Sequence, residues 1–242
     1  LGIPGAPFAD VSDLASLEAA LARIGRPAVL KTRRFGYDGK GQTKIYDGTD
    51  PTAAFAEIGR QPAVLEGLLK QHGYATACVG KWHLGDNFPY RPEDRGFTEV
   101  YRHGGGGVGQ TPDLWDNAYF DGRYFHNGRV VAAKGFCTDV FFAEAHRFIR
   151  EQAAAKKPFL AYISLNAPHS PFHAPQNYLD RYPQQTPELA AFFGMITNID
   201  DNVGTTRALL RELGIADNTL FIFTTDNGTA TGEKIFNAGM RG

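Results

Sequence analysis

Apolar residues recur at helical spacing in three segments of the chain and stand on consecutive positions in three others. The helical spacing covers residues 14–24, 138–149 and 187–213, and Thr138 is predicted to cap the second of these helices. The consecutive apolar runs are 75–79, 158–164 and 219–225, a pattern typical of strands buried on both faces of a parallel sheet. Because strands and helices alternate from about residue 74 onward, the sequence predicts an α/β domain whose mainly parallel sheet is flanked by helices.

The first 66 residues show a pattern of shorter elements. These are a helix over 14–24, strands at 27–30, 42–46 and 62–66, and a second helix from about 51 to 59. Residues 68–73 then have the pattern of the last turn and C-cap of a helix, although no linker precedes them. We therefore expect two domains, a small α+β segment over 1–66 and an incomplete α/β domain over 67–242.

The region from 86 to 135 is rich in glycine, proline and aromatic residues and has no clear periodicity. It predicts long loops with a hairpin. Within it, the run His103-Gly-Gly-Gly-Gly-Val-Gly109 lacks the Gly-Lys-Ser/Thr ending of a phosphate-binding P-loop and follows no predicted strand. The sequence therefore predicts a flexible loop here.

Charge and cysteine content exclude several classes of protein. The chain has 242 residues with 25 basic and 26 acidic side chains, so it lacks the basic excess that nucleic-acid or membrane-surface binding requires. Its 2 cysteines cannot form a disulfide framework. No apolar run approaches the roughly 18 residues of a membrane span, and no signal peptide precedes the first predicted helix. The chain starts at Leu1 and stops at Gly242 in a predicted loop, which favours a fragment.

Polar motifs follow each of the three predicted strands of the larger domain, where ligands bind in open parallel sheets. Lys81 and His83 follow the first, His169 follows the second, and Asp226 with Asn227 follow the third. Carboxylate and amide oxygens suit Ca²⁺ or Mg²⁺. A lysine and two histidines can neutralise the oxygens of an anionic ester or move protons.

Each motif also has a structural explanation. Asp226-Asn-Gly228 is common turn chemistry. Lys81 fits a solvated surface position, and His169, which stands between two prolines in the run Pro168 to Pro171, fits a residue that braces a loop. What favours a site is that all three motifs hold equivalent topological positions.

Residues from about 68 to 242 resemble the sulfatases, in the arylsulfatase-like branch of the alkaline-phosphatase-type superfamily. The motifs that carry the resemblance are 73–76 (Gly-Tyr-Ala-Thr), 80–85 (Gly-Lys-Trp-His-Leu-Gly), 91–97 (Arg-Pro-Glu-Asp-Arg-Gly-Phe), 167–171 (Ala-Pro-His-Ser-Pro), 200–204 (Asp-Asp-Asn-Val-Gly) and 224–228 (Thr-Thr-Asp-Asn-Gly). The resemblance implies a sulfate ester, on a small molecule or a glycan, as substrate. It places Lys81, His83 and His169 at the sulfate and assigns Asp226 and Asn227 to Ca²⁺.

The sequence departs from the sulfatase pattern at three points. Sulfatases use a Cys or Ser in a Cys-x-Pro-x-Arg block, oxidised to formylglycine, as the nucleophile, and neither Cys78 nor Cys137 stands in such a block. The family's N-terminal pair of metal-binding aspartates, expected upstream of Gly73, is missing. The sulfate-binding lysine expected soon after residues 237–242 would fall beyond the chain.

Residues 1–66 resemble part of an ATP-grasp enzyme, N5-carboxyaminoimidazole ribonucleotide synthase of purine synthesis. The motifs are 2–4 (Gly-Ile-Pro), 6–8 (Ala-Pro-Phe), 27–31 (Pro-Ala-Val-Leu-Lys), 32–42 (a Gly-rich loop ending in Gln) and 62–66 (Pro-Ala-Val-Leu-Glu). The resemblance implies ATP with Mg²⁺ as a weakly held ligand, bound by Lys31, Gly36, Tyr37, Asp38, Gly39, Lys40, Gly41 and Glu66. Without the resemblance, the lysines and arginines from 31 to 44 fit a solvated basic face equally well.

Three hypotheses follow for the whole chain. It is a sulfatase-like fragment fused to an ATP-grasp fragment and catalytically incomplete, or an ATP-binding ligase module, or a chimeric gene product without a function. The two resemblances imply different compartments, because sulfatases of this type are often exported and purine synthesis is cytoplasmic.

Overall fold

A computed structural model describes residues 14–24, 28–31, 42–48, 50, 53, 73–88, 90–229, 231–235 and 239. The chain divides into two compact units, Leu1–Leu65 and Glu66–Gly242. Among the helices of the described residues, none combines the length and the apolar character needed to cross a membrane.

The described part of the smaller unit contains a helix and a pair of strands. Helix α1 (Leu14–Ile24) buries Leu17, Ala20 and Leu21, whose spacing forms one apolar stripe. Strands β1 (Ala28–Lys31) and β2 (Gln42–Ile45) pair in antiparallel orientation. These elements confirm the predicted first helix and two of the predicted strands. Of the predicted helix from 51 to 59 only Ala53 is described, and it is helical, while the predicted strand at 62–66 lies outside the described residues.

The larger unit is built on a mixed five-stranded sheet. Its strands are β3 (Ala75–Gly80), β4 (Glu99–Arg102), β5 (Arg123–His126), β6 (Arg129–Ala132) and β7 (Phe159–Ser164). Across the sheet the order is β6-β5-β4-β3-β7, with β3 parallel to β4 and β7 and with β5 antiparallel to β4 and β6. Strands β3 and β7 confirm the predicted parallel strands, and β5 with β6 is the predicted hairpin.

Three helices of the described residues flank this sheet; the first packs on it directly and the third packs on the first. They are α2 (Cys137–Ala154), α3 (Gln176–Leu179) and α4 (Pro187–Glu212). Phe141, Ala145 and Phe148 of α2 are buried in the same core cluster as Ala77 and Val79 of β3. Helix α4 begins at a Thr186 cap, whose hydroxyl accepts from the Leu189 N–H at 3.3 Å. The long helices confirm the predicted α/β arrangement.

Strand β3 lies between β4 and β7 and fixes where the loop at its carboxyl end begins. All its residues are buried, as expected for a strand flanked on both edges and covered by helices. Its last residue, Gly80, has φ +104°, and a β-carbon there would lie 2.0 Å from the Ser164 carbonyl oxygen. Only glycine allows this approach of β3 to β7.

Two predictions about the helices and strands of this unit are wrong, and one strand was not predicted. Residues 219–225 form no strand, and Leu220 and Ile222 are 86% and 72% exposed. An apolar run becomes a strand only beside a hydrogen-bonding neighbour, and the described residues supply none for this one. Strand β4 was not predicted, because its sequence, Glu-Val-Tyr-Arg, is too short to show a pattern. Thr138 does not cap α2, which begins at Cys137 after Phe136.

Candidate active site

Lys81 is the first residue after β3, and its backbone is held on both sides. The Lys81 N–H donates to the Ser164 carbonyl at 2.6 Å, and the Ser164 hydroxyl donates to the Lys81 carbonyl. Strands β3 and β7 are therefore tied together at the point where both enter their loops. The Lys81 side chain is half-buried and projects from this fixed origin.

His83 stands two residues further on in an uncommon backbone conformation. Its φ is +54°, which a non-glycine residue adopts rarely and which concentrates at functional sites. The neighbouring Trp82 is buried against Phe97, and its indole N–H donates to the Tyr90 carbonyl at 2.8 Å. Trp82 thus fixes the loop against the core, and the side chain of the next residue, His83, is exposed to solvent.

His169 lies in the loop after β7 with its tautomer fixed by a local contact. Its Nδ1 is 2.7 Å from the Ser170 carbonyl oxygen. Because a carbonyl oxygen only accepts, the proton of the neutral ring is on Nδ1. The Nε2 lone pair of this exposed imidazole is then left for other partners.

The glycine-rich run 103–109 is an ordered and mostly buried loop, so the prediction of a flexible loop is wrong. Asp113 accepts from the N–H groups of Gly104 and Gly109, both at 2.7 Å. Asp86 accepts from the Gly105 N–H at 3.2 Å and from the Arg102 guanidinium at 2.7 Å. Two carboxylates therefore satisfy the backbone donors of a segment whose composition alone indicates freedom.

His103, which opens this loop, is a buried imidazole that the sequence analysis did not single out. It is 1% exposed, with Nδ1 2.7 Å from the Gly104 carbonyl, and its Nε2 has no hydrogen-bond partner within the described residues. Burial lowers the pKa of His103; the Gly104 carbonyl and Asp113 oppose this effect, and the positive charges of Lys81 and Arg102 add to it. The signal that could have found it is its position after β4, the strand that was not predicted.

Both cysteines are unsuited to nucleophilic chemistry. Cys78 lies in β3 and Cys137 opens α2, and both are buried. Burial raises the pKa of the Cys137 thiol to about 12, against the opposing effect of its hydrogen bonds with Thr138 and Asn166. A thiol that stays protonated does not attack an electrophile at neutral pH.

Comparison with known proteins decides the family. The sulfatase family profile matches residues 25–241. This chain belongs to the sulfatase family. The N-acetylgalactosamine-6-sulfatase of Canis lupus familiaris is 33% identical over 193 residues, which make up 74% of this chain and 35% of that relative. The crystal structure of Ps i-CgsB in complex with k-i-k-neocarrahexaose superposes with a TM-score of 0.58 at 28% identity, covering 64% of this chain and 38% of that one.

The match to the sulfatases covers only part of their length, and a second relative belongs to another enzyme class. The chain spans about a third of the length of the curated sulfatases, 35% for the canine enzyme. In addition, the N5-carboxyaminoimidazole ribonucleotide synthase of Pseudomonas aeruginosa is 56% identical over 69 residues, which are 28% of this chain and 19% of that enzyme.

The two residues expected to bind calcium are neighbours in one exposed bend. Asp226 and Asn227 lie in an exposed bend, where the Thr225 hydroxyl donates to the Asn227 carbonyl at 2.8 Å. Ca²⁺ takes about six to eight oxygen ligands. Over the described residues, no group of three or more His, Cys, Asp or Glu side chains is placed to hold a metal ion. The oxygens of Asp226 and Asn227 have the right chemistry for Ca²⁺, and their assignment to this ion stays a prediction.

The structure describes only one of the expected ATP-binding residues. Lys31 ends β1, and its side chain is not among the described ones. Seven residues lie outside the described residues: Gly36, Tyr37, Asp38, Gly39, Lys40, Gly41 and Glu66.

Proposed function

We propose that the larger unit binds sulfate esters through Lys81, His83 and His169 but does not hydrolyse them. The observation that carries this proposal is the fixed origin of the three side chains at the carboxyl end of the sheet, beside two thiols that are buried. A sulfuryl group presents anionic oxygens, for which the Lys81 ammonium group and the His83 imidazole N–H are suitable donors, and His169 becomes a donor to them when its Nε2 also carries a proton. Cleavage also needs an attacking group, and no other part of the site replaces it.

The substrate class that we propose is a sulfated glycan. The canine relative is named for a sulfated amino sugar, and the Ps i-CgsB structure is a complex with k-i-k-neocarrahexaose. In this chain His83 and His169 are exposed, and Lys81 is half-buried, so the site is open to a bulky ligand. An open rim suits a sugar whose sulfate group enters while the rest stays in solvent.

One titration with 4-nitrophenyl sulfate tests both parts of the proposal. We expect binding to the purified chain by calorimetry and no nitrophenol release above that of buffer. Lys81→Ala removes a charge-assisted contact and should weaken binding about tenfold or more. Lys134→Ala is the matched control, because Lys134 is an exposed lysine that pairs with Asp121 instead. Nitrophenol release that disappears in Lys81→Ala, or equal binding by both variants, would contradict the proposal.

A second candidate function concerns residues 1–66. Here we propose that they derive from an N5-carboxyaminoimidazole ribonucleotide synthase and keep part of its ATP-grasp loop, which the 56% identity over 69 residues supports. Backbone N–H groups of a glycine-rich loop together with Lys31 can cradle phosphates. We expect MgATP to bind weakly or not at all in calorimetry, since the later Mg²⁺-binding carboxylates of that family are absent from the sequence. Micromolar binding that is lost in Lys31→Ala would make this unit a functional ATP module.

The joining of the two units is itself a proposal. We place the junction between Glu66 and Leu68, where the two resemblances meet without a linker. Long-read sequencing across codons 60–75 tests it directly. A continuous read that encodes this junction supports a genuine fusion, whereas separate reads would mean that the two segments belong to different genes.

A further inference from the structure

The glycine-rich loop touches the ring of His83 at a single glycine. A β-carbon built on Gly106 would lie 2.7 Å from Cε1 and 2.8 Å from Nε2 of His83. Real β-carbons do not approach other atoms so closely, so the ring lies in the space that a side chain at this position would fill. The backbone of Gly106 is not in the left-handed region, so the space beside His83 is the feature of this position that requires glycine.

The same loop reaches the loop of His169 through Gln110. The Gln110 side-chain amide donates to the Ser170 carbonyl at 3.2 Å, and this oxygen also accepts from Nδ1 of His169. Gly107 in turn leaves room for Gln110, because a β-carbon on Gly107 would lie 2.9 Å from the Gln110 side-chain carbonyl carbon. One carbonyl therefore connects the glycine-rich loop to the tautomer of the second histidine.

The loop has the rigidity that such a role requires. Asp113 binds the N–H groups at both of its ends, Gly104 and Gly109, and the Asp113 N–H donates to the Gln110 carbonyl at 2.7 Å. A further turn closes between the Gly107 carbonyl and the Gln110 N–H at 3.1 Å. Gly106 and Gln110 are thus held on one small framework.

We infer that the loop 103–110 positions both imidazoles of the candidate site. Gly106 sets the ring orientation of His83, and Gln110 fixes His169 through the Ser170 carbonyl. Both are positioning residues, because they act on the histidines and not on a ligand. The inference rests on the proposed function only for the ligand-binding role of the two imidazoles. The contacts themselves require no ligand.

Two single-methyl substitutions separate the two contacts. Gly106→Ala should shift the imidazole nitrogen resonances of His83 and leave those of His169 unchanged. Gly107→Ala displaces Gln110, so it should mix the Nδ1–H and Nε2–H tautomers of His169 and leave His83 unchanged. Gly204→Ala is the matched control, because a β-carbon there meets nothing within 4 Å. Long-range proton–nitrogen correlation spectra of the purified chain at neutral pH measure all of these resonances.

Gln110→Ala removes the same contact without adding a methyl group to the loop, so it should reproduce the His169 effect of Gly107→Ala. Equal shifts of both histidines in every variant, or no shifts at all, would overturn the inference. Inorganic sulfate added to the same samples tests the proposed function separately. If sulfate perturbs neither ring while the selective effects persist, the positioning role stands and the proposed sulfate site fails.

Discussion

Two regions of the larger unit carry the same kind of sequence, an apolar run followed by a polar motif, and only one of them forms a paired strand in the described residues. The run 75–80 pairs on both edges, with β4 and β7, and delivers Lys81 and His83 on a fixed backbone. The run 219–225 has no strand neighbour in the described part of the chain and leaves Asp226 and Asn227 in an exposed bend.

The difference shows what a strand pattern establishes. Consecutive apolar residues indicate that a segment can be buried in a sheet, but the sheet must offer an edge whose N–H and C=O groups complete the hydrogen bonds. Without them, burial of a backbone costs more than its side chains gain. The polar residues that follow are then placed by the bend alone.

The largest effect is expected where β3 meets β7. Gly80→Ala forces a β-carbon to within 2.0 Å of the Ser164 carbonyl, and should lower the free energy of unfolding of the larger unit by about 3–5 kcal/mol. Gly128→Ala has the same left-handed strain in an open turn and should cost only about 1–2 kcal/mol. Denaturant unfolding compares them. Equal losses of unfolding free energy would show that the close approach of β3 to β7 adds no cost of its own.

A smaller difference in stability is expected between substitutions of two loop aspartates, Asp113 and Asp226. Asp113→Ala removes three acceptor contacts, to the N–H groups of Gly104 and Gly109 and to the Asn117 amide, and should cost about 2–3 kcal/mol. Asp226→Ala changes an exposed bend and should cost less than about 0.5 kcal/mol. Chemical denaturation of both variants provides the comparison, which fails if Asp226→Ala is the more damaging change.

The free energy of unfolding of the larger unit should also depend on pH, because His103 is buried in its glycine-rich loop. Because burial lowers the pKa of His103, its unfolded imidazole binds a proton at about pH 6.5 while the native one stays neutral. Stability is therefore full above that pH and falls as the pH drops towards 5, by at most about 1.4 kcal/mol per pH unit for this group. His103→Asn should make the slope shallower. His146, whose pKa is lowered by burial and then by Arg150, keeps part of it.

The smallest effect is expected in the unpaired run. Ile222→Ser should change the free energy of unfolding by less than about 0.5 kcal/mol, because the side chain is 72% exposed. It should nevertheless reduce self-association, since it removes part of an exposed apolar patch. Val79→Ser in the buried strand is the counterpart and should cost at least about 2 kcal/mol. Light scattering measures self-association, and thermal unfolding measures stability. A loss of stability in Ile222→Ser would contradict the exposed position of this side chain.

The sequence predicts most of the large elements and part of the site. Helices α2 and α4 and strands β3 and β7 have long patterns with the correct period, and the positions of Lys81, His83 and His169 follow from the strand ends. It does not predict the ordered glycine-rich loop. Glycine content indicates backbone freedom, whereas the order comes from Asp86 and Asp113, whose partners depend on how the loop folds back.

Amide hydrogen exchange on the purified chain tests the central comparison most directly. We expect strong protection across β3 and β7, intermediate protection of Gly104, Gly105 and Gly109, whose N–H groups are bound to carboxylates, and rapid exchange throughout 219–227. Protection of residues 220–225 at the level of β7 would mean that this run is a paired strand, and would contradict the account.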